Sequence, residues 1–138
     1  MRVRAALAGL AFGLHTSVAL ACGYCIEDKI ASTYDHAVVT QALARKHQVA
    51  FFHIDGTIVP GDTAKHIVEA AVVSSPGVDR GTVRVALETL TVSFAFDPSR
   101  TTPAALQATL DRKLRAKRLA LMPLRVIDSP AELKLVKR

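Results

Sequence analysis

The chain contains no tryptophan, two cysteines and an aromatic content of 5%. Two cysteines exclude a four-ligand, all-cysteine zinc site within one chain, and they exclude a scaffold built on several disulfides. There is no glycine-rich phosphate loop, no serine–histidine–acid set and no paired-carboxylate pattern, so no residue constellation argues for a kinase or a hydrolase, and the expectation is a protein that is not an enzyme. Low-complexity segments are also missing. What is present is the composition of a folded domain. Half of the 138 residues are apolar and 22% are charged, which argues against wholesale disorder and fits one domain. The net charge is +6 and the mean hydropathy is high, at +0.26.

Part of that hydropathy comes from the first 21 residues. Arg2 and Arg4 are followed by an apolar run from Ala5 to Leu14 and, after His15-Thr16-Ser17, by Val18-Ala19-Leu20-Ala21. A charged start, an apolar stretch and a small-x-small site in that order predict a signal peptide over residues 1–21. The run is shorter than the roughly 20 residues that span a bilayer. No other stretch is longer, so no transmembrane segment is expected once the leader is removed. Cleavage after Ala21 would remove Arg2 and Arg4, lower the charge from +6 to +4 and leave Cys22 at the start of a periplasmic or secreted chain. A cysteine in that position also raises lipoprotein anchoring through Cys22, although Ala19 stands where a lipobox usually has leucine.

Cys22-Gly23-Tyr24-Cys25 is a C-x-x-C pair, whose spacing lets two thiols converge on one metal ion or close a small disulfide. The following segment, Ile26 to Lys46, is predicted as one helix with Ile26, Ile30, Tyr34, Val38 and Ala42 on a stripe. Glu27 and Asp28 are expected in its first turn and the thiols at its N-terminus, where unpaired N–H groups favour thiolate. Three uses of the pair stay open: metal binding, a structural disulfide, and thiol–disulfide redox chemistry. Two thiolates suit a soft ion, above all Cu(I), whereas zinc would need two more ligands from among the histidines. His36 lies about 16 Å from Cys25 along a straight helix and cannot share its metal. His47 and His66 read as solvated.

Beyond residue 47 the pattern is β-α-β-β-α-β. Gln48 to Ile54 is a strand, Thr63 to Val73 a helix, Gly81 to Leu87 and Leu90 to Phe96 two strands of a hairpin, and Leu119 to Ile127 a last strand that Pro123 confines to an edge or a bulge. A helix capped by Thr101 or Thr102 carries Leu106, Leu110 and Leu114 on its buried stripe. The predicted fold class is α+β, a ferredoxin-like sandwich with an added N-terminal helix. The parts are the leader (1–21), the CGYC motif and helix (22–47), the sandwich (48–127) and a polar tail (128–138). By alternation Ala50, Phe52 and Ile54 face the helices, and Val49, Phe51 and His53 face the other side, which the N-terminal helix is expected to cover.

The strand ending in Ile54-Asp55-Gly56, the Pro76-Gly77-Val78 turn, the Val83–Leu87 and Val92–Phe96 hairpin, Asp97-Pro98 and Pro103-Ala104-Ala105-Leu106 together resemble a heavy-metal-associated domain, the module of copper chaperones and copper-pumping ATPases. The resemblance covers about 80 residues and implies a metal-handling role with a metal donor or acceptor protein as partner. That family carries its C-x-x-C pair in the loop after the first strand. Here the loop, Gly56-Thr57-Ile58-Val59-Pro60-Gly61-Asp62, has no cysteine, and the pair lies upstream.

The expected function is therefore an exported soft-metal-binding protein, holding copper on Cys22 and Cys25 with His53 as a further ligand. A protein-interaction domain with a structural disulfide is the competing reading, and a thiol–disulfide redox protein the third. The basic run from Arg112 to Arg118 lacks interleaved aromatics, so it reads as a solvated helix end and no nucleic acid partner is expected.

Overall fold

Segments rich in β-branched and aromatic residues form the strands, and the turn and capping residues between them set the helix limits. The computed structural model describes the backbone of residues 19–133 and the side chains of residues 26–133. Two helices come first, α1 (Ala19–Thr33) and α2 (His36–Ala44). They are followed by β1 (Gln48–Gly56), α3 (Asp62–Val73), β2 (Arg84–Ala86), β3 (Thr91–Phe96), α4 (Pro103–Leu114) and β4 (Leu119–Ile127). The four strands make one antiparallel sheet in the order β2-β3-β1-β4, so the class is α+β. The leader expected over residues 1–21 falls largely outside the described residues.

The period-two alternation of β1 divides the apolar side chains into two cores. Ala50, Phe52 and Ile54 join Val68 and Val72 of α3, Leu106, Leu110 and Leu114 of α4, and Val92, Phe94 and Phe96 of β3. The Phe52 and Phe94 rings stack with centroids 5.7 Å apart. Val49 and Phe51 point the other way and join Ala95, Ile127, Ile30 of α1 and Val39 and Ala42 of α2. The face that alternation leaves open is thus covered from the N-terminal side, as its apolar content requires.

That cover is two helices rather than the single one expected over Ile26–Lys46. The chain breaks at Tyr34-Asp35, because Asp35 takes an extended conformation and its carboxylate accepts from the backbone N–H groups of Ala37 and Val38. An aspartate that caps α2 in this way cannot also continue α1. The break rotates the apolar stripe, so Val39 rather than Val38 is buried with Ala42. A second correction concerns the start of α1. Helical backbone already runs through positions 22 and 25, ahead of the start expected at Ile26, so Glu27 and Asp28 lie within α1 rather than in its first turn.

The strand expected over Gly81–Leu87 shrinks to Arg84–Ala86. Arg80–Thr82 instead form a 3-10 turn, in which the Thr82 hydroxyl donates to the Asp79 carbonyl and accepts from the Ala95 N–H. β4 is an edge strand, and its register against β1 shifts beside Pro123: Phe52 pairs with Pro123 and Phe51 with Arg125, leaving Leu124 as the extra residue. Thr102 caps α4, its hydroxyl accepting from the Ala105 N–H at 3.2 Å.

Candidate functional site

The sequence singles out Cys22, Cys25 and His53. Both cysteines fall within the span of α1, and their side chains lie outside the described residues. Four residues after Cys25, on the same helix, comes Lys29.

His53 sits near the end of β1 on the face that α1 covers, and it is half-buried. Its Nδ1 lies 2.9 Å from the Leu90 carbonyl oxygen and 3.1 Å from Lys29 Nζ. A carbonyl only accepts, so the Leu90 contact puts the ring proton on Nδ1; an ammonium only donates, so Lys29 is then a close neighbour of Nδ1 and not its hydrogen-bond partner. The lysine ammonium donates to the Thr89 carbonyl at 2.7 Å. Nε2 is left as the nitrogen with the lone pair, and it makes no hydrogen bond to a described residue. An imidazole fixed through Nδ1 to a backbone carbonyl, with Nε2 free, has the arrangement of a ligand histidine. The approach of Lys29 to His53 has no sequence signal, because a lone lysine in an amphipathic helix is not distinctive.

The other three described histidines are apart from this point. His36 opens α2 rather than lying along α1, and its ring is 3.3 Å from the Tyr34 hydroxyl. Burial raises the pKa of that phenol. His66 is exposed beside Glu69. His47, expected to be solvated, is instead anchored: its Nδ1 is 2.7 Å from Asp79 Oδ2 and its Nε2 is 3.9 Å from Asp97 Oδ2. The carboxyl of Asp97 is held below the usual carboxylate range, first by the Ser99 hydroxyl and the Ser99 N–H and then by the charges of His47 and Arg100. This cluster joins the end of α2 to the segment before β2 and is a structural clamp. Among the described residues, no group of three or more His, Cys, Asp and Glu side chains is placed to hold a metal ion.

The loop after β1 carries no cysteine. Thr57–Asp62 lines an apolar cleft of about 370 Å³ with Ala64, Ile67, Lys117 and Leu119, and Val59 is 83% exposed. The basic run lies around the last turn of α4 and the 3-10 turn Arg115–Lys117, where cations complement the helix C-terminus. No helix among the described residues is long and apolar enough to cross a membrane. No family model and no curated protein matches the chain.

Proposed function

We propose that the chain is an exported soft-metal-binding protein, periplasmic or secreted once residues 1–21 are removed. It holds copper as Cu(I) on the thiolates of Cys22 and Cys25 together with His53, and passes it to or from a partner protein by ligand exchange. The scaffold in this reading is a ferredoxin-like sandwich similar to a heavy-metal-associated domain. The chain order β-α-β-β-α-β after residue 47 and the sheet order β2-β3-β1-β4 support it. The observation that carries the functional reading is the Lys29–His53 contact at 3.1 Å. It brings the helix of the thiol pair, one turn after Cys25, against the strand of the one sequence-selected histidine. Two thiolates and an imidazole match the soft, low-coordinate preference of Cu(I), and zinc is the alternative cargo if a fourth ligand joins. Binding requires deprotonated thiols and so weakens as pH falls.

An anaerobic Cu(I) titration against a competing chelator tests this. The wild-type chain is expected to take up one equivalent, and the Cys22→Ser/Cys25→Ser variant to take up none. Equal uptake by both overturns the reading. The exposed Val59 and the apolar cleft beneath it favour the second reading, a protein-interaction domain in which the cysteines form a structural disulfide, and that reading expects no tight uptake by either chain.

A further inference from the structure

We propose that Met122 supplies a thioether ligand to the same soft-metal centre, which would then combine thiolate, imidazole and thioether donors; this rests on the reading of Cys22, Cys25 and His53 given above. Met122 and His53 are directly opposite one another in the β1–β4 ladder. Opposed residues of an antiparallel pair project from the same face, with Cβ atoms about 4.5–5.5 Å apart. That face is the one under α1, since Val49 and Phe51, at even spacing from His53, belong to the core that α1 and α2 close.

The path of α1 adds the second half of the argument. Glu27 pairs with Arg125 on β4, Lys29 reaches His53 on β1 and Thr89 in the β2–β3 turn, and the Ser93 hydroxyl on β3 donates to the Thr33 carbonyl at 3.0 Å. The helix therefore crosses the sheet from β4 toward β2 as the chain advances. Followed backward from Lys29 it moves from β1 toward β4, and Cys25 is one turn back, about 6 Å along the axis. β4 is the strand that carries Met122 beside His53.

One feature of Met122 has no packing explanation. It is 52% exposed, one of two large apolar side chains so exposed among the described residues, while its neighbours on this face, Phe51 and Ile127, are fully covered. The extra residue at Leu124 is also what allows Met122 and Arg125 to share the α1 face. In a regular ladder with Met122 opposite His53, Arg125 would fall opposite Ala50 and point into the other core. A bulge of this kind redirects side chains and is common beside functional sites. A thioether is a soft donor suited to Cu(I) and a poor one for hard cations.

The test uses the exported chain labelled with ¹³C at the methionine methyl groups and Ag(I) as a redox-inert soft probe. The sequence holds two methionines, Met1 and Met122, and Met1 lies in the expected leader, so the exported chain gives a single methyl resonance. One equivalent of Ag(I) is expected to shift that resonance. Met122→Leu conserves size at an exposed position and should fold normally. It is expected to keep a stoichiometry of one and to lose Cu(I) affinity by about tenfold or more, the scale seen when a group supporting a metal is removed. A methyl resonance that does not move, with cysteine-dependent uptake intact, overturns the methionine and leaves the cysteine reading standing. Absence of uptake by the wild-type chain overturns both.

Discussion

Ile30→Ala tests whether α1 is an integral cover of the sheet. Ile30 is fully buried among Val39, Ala42, Val49, Phe51, Ala95 and Ile127. The substitution removes three carbon groups from that cluster. Their transfer is worth roughly 2.4 kcal/mol at about 0.8 kcal/mol each, and the cavity left behind raises the cost to about 3–4 kcal/mol. For a domain of this size, intermediate between those with the larger and smaller shifts, that lowers Tm by roughly 10–20 °C. Urea unfolding followed by far-UV circular dichroism is the suitable assay, since there is no tryptophan for fluorescence. Leu110→Ala, in the core on the other face, is the internal standard and should cost about 2–5 kcal/mol. A cost below about 1 kcal/mol for Ile30→Ala beside an ordinary cost for Leu110→Ala would refute the packing of α1 on the sheet.

Asp35 links local capping to pH. Its carboxyl is held below the ordinary value near 3.8, first by the Val38 N–H and then by Arg84, whose Nη2 is 3.0 Å from Oδ2. A depressed carboxylate contributes stability that is fully present above that ordinary value and is lost as pH falls through the folded-state value. Asp35→Ala is therefore expected to lower the urea midpoint at neutral pH, and the difference from wild type should shrink with acidification below pH 4, which a series of urea titrations would show. Gly56→Ala addresses the end of β1. Gly56 has φ +128° and an added Cβ would lie 2.4 Å from the Arg118 carbonyl oxygen, so a loss of about 1–3 kcal/mol is expected in the same assay.

The two faces of β1 were legible because a strand exposes its side chains with period two. Val49 and Phe51 had to be covered, and the segment before β1 was the available cover. Pro123 was equally legible as an edge or bulge residue, because it lacks the N–H that an inner strand needs. The break at Asp35 was not read, although an aspartate ahead of an apolar run is a capping signal. The stripe Ile26, Ile30, Tyr34, Val38, Ala42 fits one helix so well that it masks the local competition of the Asp35 carboxylate for the Ala37 and Val38 N–H groups. The short β2 was not legible either, since the Thr82 hydroxyl satisfies the Ala95 N–H across 13 residues and no local pattern reports that bond. His53 was selected by its strand position, whereas its partners Lys29 and Leu90 come from segments distant in sequence.

The location of the proposed centre follows from what covers the sheet. The loop after β1, Thr57–Asp62, carries no cysteine and lines an apolar cleft. The proposed centre pairs thiols of α1 with His53, on the face of β1 that α1 covers. A metal held between α1 and β1 would stabilise only conformations with α1 docked, by RT ln(1 + [L]/Kd). Loss of Ile30 loosens that docking, while loss of Leu110 weakens a core that the centre does not touch. Between two variants of matched global cost, Ile30→Ala should therefore lose more Cu(I) affinity than Leu110→Ala. Equal losses would mean that the ligands do not bridge the helix and the strand.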